Sequence, residues 1–153
     1  MIRAVVLDSG PLGMATNPKQ TPLNVDCQQW ILDLLNADVR VIVPEIADYE
    51  VRRELIRAEK TSGLSRLELF ISSRVNDYLP ISTPVMRHAA ELWAQARKQG
   101  RQTAADAALD GDMILVAQAL TLKLPREEVI IATHNVSDIA PFFPAKSWED
   151  ITL

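Results

Sequence analysis

Apolar positions along the chain alternate between two kinds of pattern. Residues 4–7, 39–43 and 129–132 are short, nearly unbroken runs of Val, Ile, Leu and Ala, the mark of strands buried on both faces of a parallel sheet. Between them apolar residues recur at helical spacing. Trp30, Ile31, Leu34 and Leu35 share one face of a helix over 23–37. Ala47, Val51, Leu55 and Ala58 form a stripe on a helix over 46–60, with Pro44 and Glu45 suited to its first turn. Leu67, Phe70, Ile71 and Val75 predict a helix over 65–76, and Val85, Ala89, Leu92, Trp93 and Ala96 one that opens at Pro84 and closes at Gly100. A further helix covers part of 104–122, while 78–81 and the tail over 146–151 are weaker strand candidates. Breakers at Gly13, Asn17-Pro18 and Thr21-Pro22 predict a long loop over 11–24, and Thr61-Ser62-Gly63 predicts a break between helices. Strands alternating with helices make an α/β domain whose parallel strands are joined by right-handed crossovers. No repeat or linker divides the chain, so 1–153 reads as one domain.

This order of elements gives four acids a common address. Asp8 ends the first strand, Glu50 lies in the opening turns of the helix after the second, Asp112 heads the apolar run 113–120, and Asp138 follows the third strong strand by a few residues. In a parallel sheet these positions face one rim, beyond the carboxyl ends of the strands, where ligands bind. Taken singly, each acid has an ordinary role: Asp8 and Asp138 as helix caps, Glu50 paired with Arg53, as Glu54 is with Arg57. Taken together, they repel by several kcal/mol per close pair at an effective dielectric of about 20. Mg²⁺ suits such a set, because it takes few carboxylates, keeps several waters and leaves positions for phosphate oxygens. It also lowers the pKa of a bound water. The reaction this predicts is hydrolysis of a phosphodiester. Asp110 competes with Asp112, but two residues apart on a helix they face nearly opposite sides. Asp112 adjoins the buried run, whereas Asp110 fits an N-cap. If Thr103 and Asp106 form a capping box, the helix begins earlier and Gly111 lies inside it; Asp112 is preferred in either case. Zinc is disfavoured, since His88 and His134 are the only histidines and form no spaced pair.

Composition narrows the class without choosing a substrate. With 153 residues, 48% hydrophobic and 24% charged, the chain has material for a core and reads as globular. No apolar run reaches the roughly 18–20 residues of a membrane span, and the amino terminus lacks a signal-peptide pattern. The single cysteine, Cys27, precludes an intrachain disulfide, so a cytoplasmic location with no membrane partner is expected. A net charge of −4 argues against nucleic acid, yet neutralising four carboxylates with bound metal would leave no net charge. Arg52-Arg53, Arg57 and Lys60, like Arg97-Lys98 and Arg101, either steer a phosphate backbone or form solvated helix faces. Trp93 fits core packing better than base stacking. His134, with no partner visible in the sequence, occupies the loop after the third strong strand.

Four stretches taken in order carry a resemblance: Val5-Val6-Leu7-Asp8-Ser9, Tyr49-Glu50-Val51-Arg52-Arg53-Glu54-Leu55, residues 109–119 with Asp110-Gly111-Asp112, and Ile130 to Asp138 with Thr133-His134-Asn135. They resemble the motifs of the PIN domain family, most of all the small VapC-like toxins of toxin–antitoxin pairs. The resemblance implies a three-layer α/β/α fold around a five-stranded parallel sheet, and Mg²⁺- or Mn²⁺-dependent endoribonuclease activity. Carried over, the metal-binding acids are Asp8, Glu50, Asp112 and Asp138, with Ser9, Thr133 and Asn135 as supporting polar groups of the catalytic site. It further implies an RNA substrate, a small antitoxin protein that blocks the site, and a homodimer. The chain departs from the pattern in its 11–24 loop, in a polar insertion around 99–108 and in its Asp-Gly-Asp. The alternatives are a catalytically silent PIN-fold domain that binds RNA or a partner, and, less favoured, a haloacid-dehalogenase-like phosphatase. The latter wants an acid where Gly10 stands, and another at Val116.

Overall fold

The computed structural model describes residues 1–74, 77–100 and 106–153. A five-stranded, wholly parallel sheet has the order β3-β2-β1-β4-β5, where β1 is Ala4–Leu7, β2 Arg40–Pro44, β3 Tyr78–Leu79, β4 Val129–Ala132 and β5 Ala145–Lys146. The fully apolar strands take the interior, with Val6 in register with Ile42 on one side and Ile131 on the other. The edges are left to β3 and β5, two residues each, short enough to offer little template for another strand.

Alternation along the strands divides the apolar side chains between two layers. Ala4, Val6, Ile42 and Ile131 pack with α5 (Thr83–Lys98), α6 (Asp106–Ala119) and α7 (Val136–Ile139). Val5, Leu7, Val41, Val43 and Ile130 pack with α1 (Ser9–Thr16), α2 (Pro22–Asn36) and α4 (Thr61–Ser72). The helix α3 (Glu45–Arg57) starts between the two, giving Ile46 to the first layer and Ala47 to the second. The expected three-layer α/β/α architecture is therefore the observed one. Cys27, free and buried, packs α2 on α1, and burial, then the charge of Glu149, pushes its thiol up to about 12. No helix among the described residues is long and apolar enough to cross a membrane.

Several boundaries differ from expectation for identifiable reasons. The 11–24 loop is mostly α1. Asp8 caps it, and Pro11 falls within the first turn, where a helix needs no N–H from it; only 17–21 remain as connection. Thr61-Ser62-Gly63 is the first turn of α4 rather than a break. The interruption comes earlier, at Glu59, whose φ of 54° lies in the left-handed region and lets Lys60 N–H return to Leu55 O at 2.9 Å. Gly63 is needed for packing, since a Cβ there would lie 2.8 Å from Leu55 Cδ2. Asp110 sits inside α6 and not at its N-cap. The expected tail strand over 146–151 is β5 followed by a 3₁₀ turn, Trp148–Asp150, whose Trp148 packs against Trp30 with ring centroids 5.7 Å apart and planes tilted by 47°. The predicted end of the fourth helix at Val75 and Asn76, the Thr103 capping box and Arg101 lie outside the described residues.

One polar residue ties the site's scaffold together. Gln118, fully buried on α6, accepts from Ile46 N–H at 3.2 Å and donates to Leu79 O at 2.7 Å. It joins the start of α3 to β3 at the edge of the sheet. Replacing it with leucine strands a donor and an acceptor in the core. Gln118→Leu is expected to cost about 2–4 kcal/mol in urea unfolding; a loss below about 1 kcal/mol would show that water or a backbone shift replaces the clamp.

Candidate active site

The strand order reverses at β1, which pairs with β2 on one side and β4 on the other. That is the switch point at which α/β sheets open a crevice beyond their carboxyl ends. Asp8 follows β1 and Thr133 follows β4, so chain geometry brings them together across it. Asp8 N–H bonds to Ala132 O at 3.0 Å, and Thr133 Oγ1 donates to Asp8 Oδ2 at 2.6 Å. The other oxygen, Oδ1, accepts from Ser9 N–H at 2.7 Å. Asp8 is thus both the cap of α1 and a member of the site; capping fixes the rotamer that faces the rim. Thr133 Oγ1 in turn accepts from Asn135 N–H at 2.9 Å, so its proton is committed to Asp8.

The other acids arrive from three helices. Asp112, 6% exposed, projects from α6; burial first, then the charges of Asp8, Asp138 and Glu50, raise its carboxyl from 3.8 to about 7, while a hydrogen bond from Asn135 pulls it back down. Its Oδ2 is buried and without a donor. Glu50, half-buried on α3, is raised by burial and by Asp8, and lowered by Arg53, which approaches to 4.0 Å. Its carboxylate rests on α6 at Gly111, where a Cβ would stand 3.5 Å from both oxygens. Asp138 comes from α7 and is partly buried. The electrostatic contacts run from Asp112 to each of the other three. The structure thus brings Asp8, Glu50, Asp112 and Asp138 to one rim, with Ser9, Thr133 and Asn135 beside them. Asp110 is exposed on the opposite side of α6, in an apolar groove with Met86 and Trp93.

Of the expected steering cations, Arg52 is engaged with Asp48 at 2.9 Å and with Glu68, and Arg57 with Glu54 at 2.8 Å. Arg97 lies over the Trp93 ring, which packs against the core. Arg53 and Lys60 instead line a groove of about 820 Å³ running from Ser9, Gly10 and Glu50 between α1, α3 and α4. Residue order does not mark this groove, because Gly13, Asn17-Pro18 and Thr61-Ser62-Gly63 along it read as breakers.

The donor set is one that a hard divalent cation fits: all-oxygen, anionic, with an unpartnered buried carboxylate oxygen at its centre. Among the described residues no three His, Cys, Asp or Glu side chains are already drawn together tightly enough to enclose an ion. Asp8 is held by Ser9 N–H and Thr133 Oγ1.

Neither protein-family models nor curated proteins give a match to the chain. Solved structures do. VapBC2 from Rickettsia felis, bound to a DNA fragment from their promoter, superposes with a TM-score of 0.68 at 18% identity, over 95% of this chain and 98% of that one. FitAcB from Neisseria gonorrhoeae gives 0.66 at 18%, over 96% and 99%. DNA-bound VapBC from Salmonella typhimurium gives 0.60 at 16%, over 97% and 99%. Such identities speak to architecture, and they agree with the sheet order and layers described above: the chain has the three-layer α/β/α PIN-like fold.

Proposed function

We propose that the protein is a metal-dependent endoribonuclease, using Mg²⁺ or Mn²⁺ to hydrolyse RNA phosphodiesters, and that it is the toxin of a toxin–antitoxin pair. The observation that carries the reading is Asp112: a buried carboxylate with an orphaned oxygen, surrounded by Asp8, Glu50 and Asp138 at the switch point of the sheet. That arrangement costs stability and is compensated by a cation. In the proposed assignment Asp8, Glu50, Asp112 and Asp138 hold the metal. When bound, the ion supplies charge neutralisation for a phosphodiester and for the water that attacks it. The chain's own residues do the rest. Ser9 N–H and Thr133 fix Asp8 in one rotamer, Asn135 orients Asp112, and the groove past Gly10 admits an extended strand whose phosphates meet Arg53 and Lys60.

The proposed partners are an RNA substrate, a small antitoxin protein and a second copy of the chain, in the cytoplasm. Likeness to solved VapBC and FitAcB structures supports the pairing. Exposed Tyr49, Ile56, Leu69 and Met86 offer apolar surface for protein contacts. The silent-domain alternative draws on the absence, among the described residues, of a closed ligand set, but it leaves the orphaned Asp112 oxygen unexplained.

Asp112→Asn tests the assignment without removing a cap. It is expected to abolish metal-dependent cleavage of a single-stranded RNA panel, to abolish the rise in Tm on adding millimolar Mn²⁺, and to raise the Tm of the metal-free protein at pH 8 by at least about 2 °C. Metal-dependent cleavage at the wild-type rate in this variant would refute it. The pH dependence has a definite sign. A carboxyl raised to about 7 favours the folded state below its ordinary value and loses that contribution as pH climbs through about 7. The metal-free protein should therefore lose stability between about pH 4 and 7, and the Asp112→Asn protein should lose less, keeping only the smaller contribution of the raised Glu50. Because metal and proton compete for the same oxygens, the Mn²⁺-induced rise in Tm should be larger at pH 8 than at pH 6. Equal shifts at both would remove Asp112 from the ligand set.

A further inference from the structure

The turn between β4 and α7 delivers three consecutive side chains to the rim. Thr133 bonds to Asp8 and Asn135 to Asp112, whereas His134 between them is exposed and makes no hydrogen bond or ion pair among the described residues. What His134 touches is Gly10. A Cβ built on Gly10 would lie 2.7 Å from His134 Nδ1, 2.8 Å from Cε1 and 3.3 Å from Cγ. An approach along the ring edge at Nδ1 would leave both bonded neighbours clearly farther away, so near-equal distances mean that the ring meets Gly10 with its face. The imidazole sets one face against Gly10 in the first turn of α1, and the side chain is otherwise exposed. Gly10, with Ser9 and Glu50, also lines the groove between α1, α3 and α4.

Gly10 has no backbone reason to be glycine. Its φ is not in the left-handed region, and within a helix alanine is the better residue. A methyl there would displace the ring above it.

We propose that His134 is a stacking platform for a nucleobase of single-stranded RNA, next to the phosphate held at the acid cluster, and that Gly10 is the seat which keeps the ring flat. The inference rests on the nuclease reading and adds to it how the substrate is gripped. An aromatic face backed by main chain beside a metal-binding rim suits an unpaired nucleotide, whose base can be splayed from its neighbours and stacked. Such stacking tolerates any base, because every base has a π-face. Lys19, Arg53 and Lys60 along the groove provide for the phosphates that continue the strand.

The test uses the full chain with Mn²⁺, a labelled short single-stranded RNA, and the same RNA made abasic at one position at a time. His134→Ala should raise KM roughly tenfold while leaving the Mn²⁺-induced rise in Tm unchanged, and His134→Phe should restore KM. One abasic position should bring the wild type to the His134→Ala level and leave that variant unaffected. Gly10→Ala should reproduce the His134→Ala defect, and the double variant should be no worse than either single one. Wild-type kinetics in His134→Ala, failure of phenylalanine to rescue, or additive effects of the two substitutions would each overturn the proposal while leaving the nuclease reading intact. A wild-type protein that neither binds nor cleaves RNA with Mn²⁺ would overturn both.

Discussion

Like charge concentrated at the carboxyl edge of the sheet is the constraint on which the rest of this structure turns. A parallel sheet with helical crossovers sends the ends of its strands and the beginnings of its helices to one side, and this chain places an acid at four of those positions. Asp112 shows what that costs: a carboxyl raised to about 7 by burial and by three neighbouring carboxylates, with one oxygen lacking any donor. Nothing in the fold needs such an arrangement for packing, since apolar clusters already fill both faces of the sheet. Under the proposed assignment, a divalent cation would convert that repulsion into binding energy.

The scaffold holds the acids with ordinary secondary-structure devices. Asp8 is an N-cap whose second oxygen crosses the switch point to Thr133. Glu50 rides a helix whose first turn is anchored by Gln118, and settles against α6 where Gly111 leaves room for its carboxylate. A capping role and a ligand role are thus compatible at Asp8. The cap spends one oxygen on α1 and fixes the direction of the other.

Glycine serves two further close approaches around the site. Gly63 lets α4 pack on Leu55 of α3, which forms one wall of the groove, and Gly10 accepts the His134 ring at its head. Groove and acid cluster meet at Ser9 and Glu50, and His134 reaches them through Gly10, so all three are built from the same short segments: the start of α1, the turn after β4, and α3.

Hydrophobic periodicity alone determined the three central strands, the long helices and the parallel α/β class, because burial on both faces or on one helical stripe leaves a direct trace in residue order. With the strand ends located, the order of elements also brought Asp8, Glu50, Asp112 and Asp138 to one rim. Local chemistry misled at Pro11 and Gly13, which read as loop and form part of α1, and at Thr61-Ser62-Gly63. Their tolerance in a helix depends on first-turn position and on neighbours distant in sequence. Gln118 was hidden inside an apolar run, and His134 had no visible partner, since its contact is a glycine 124 positions away. The apolar run favoured Asp112 over Asp110, but only the tertiary structure decided which face of α6 looks inward, sending Asp112 to the rim and Asp110 to solvent, because that choice depends on how α6 packs against α3 and α5.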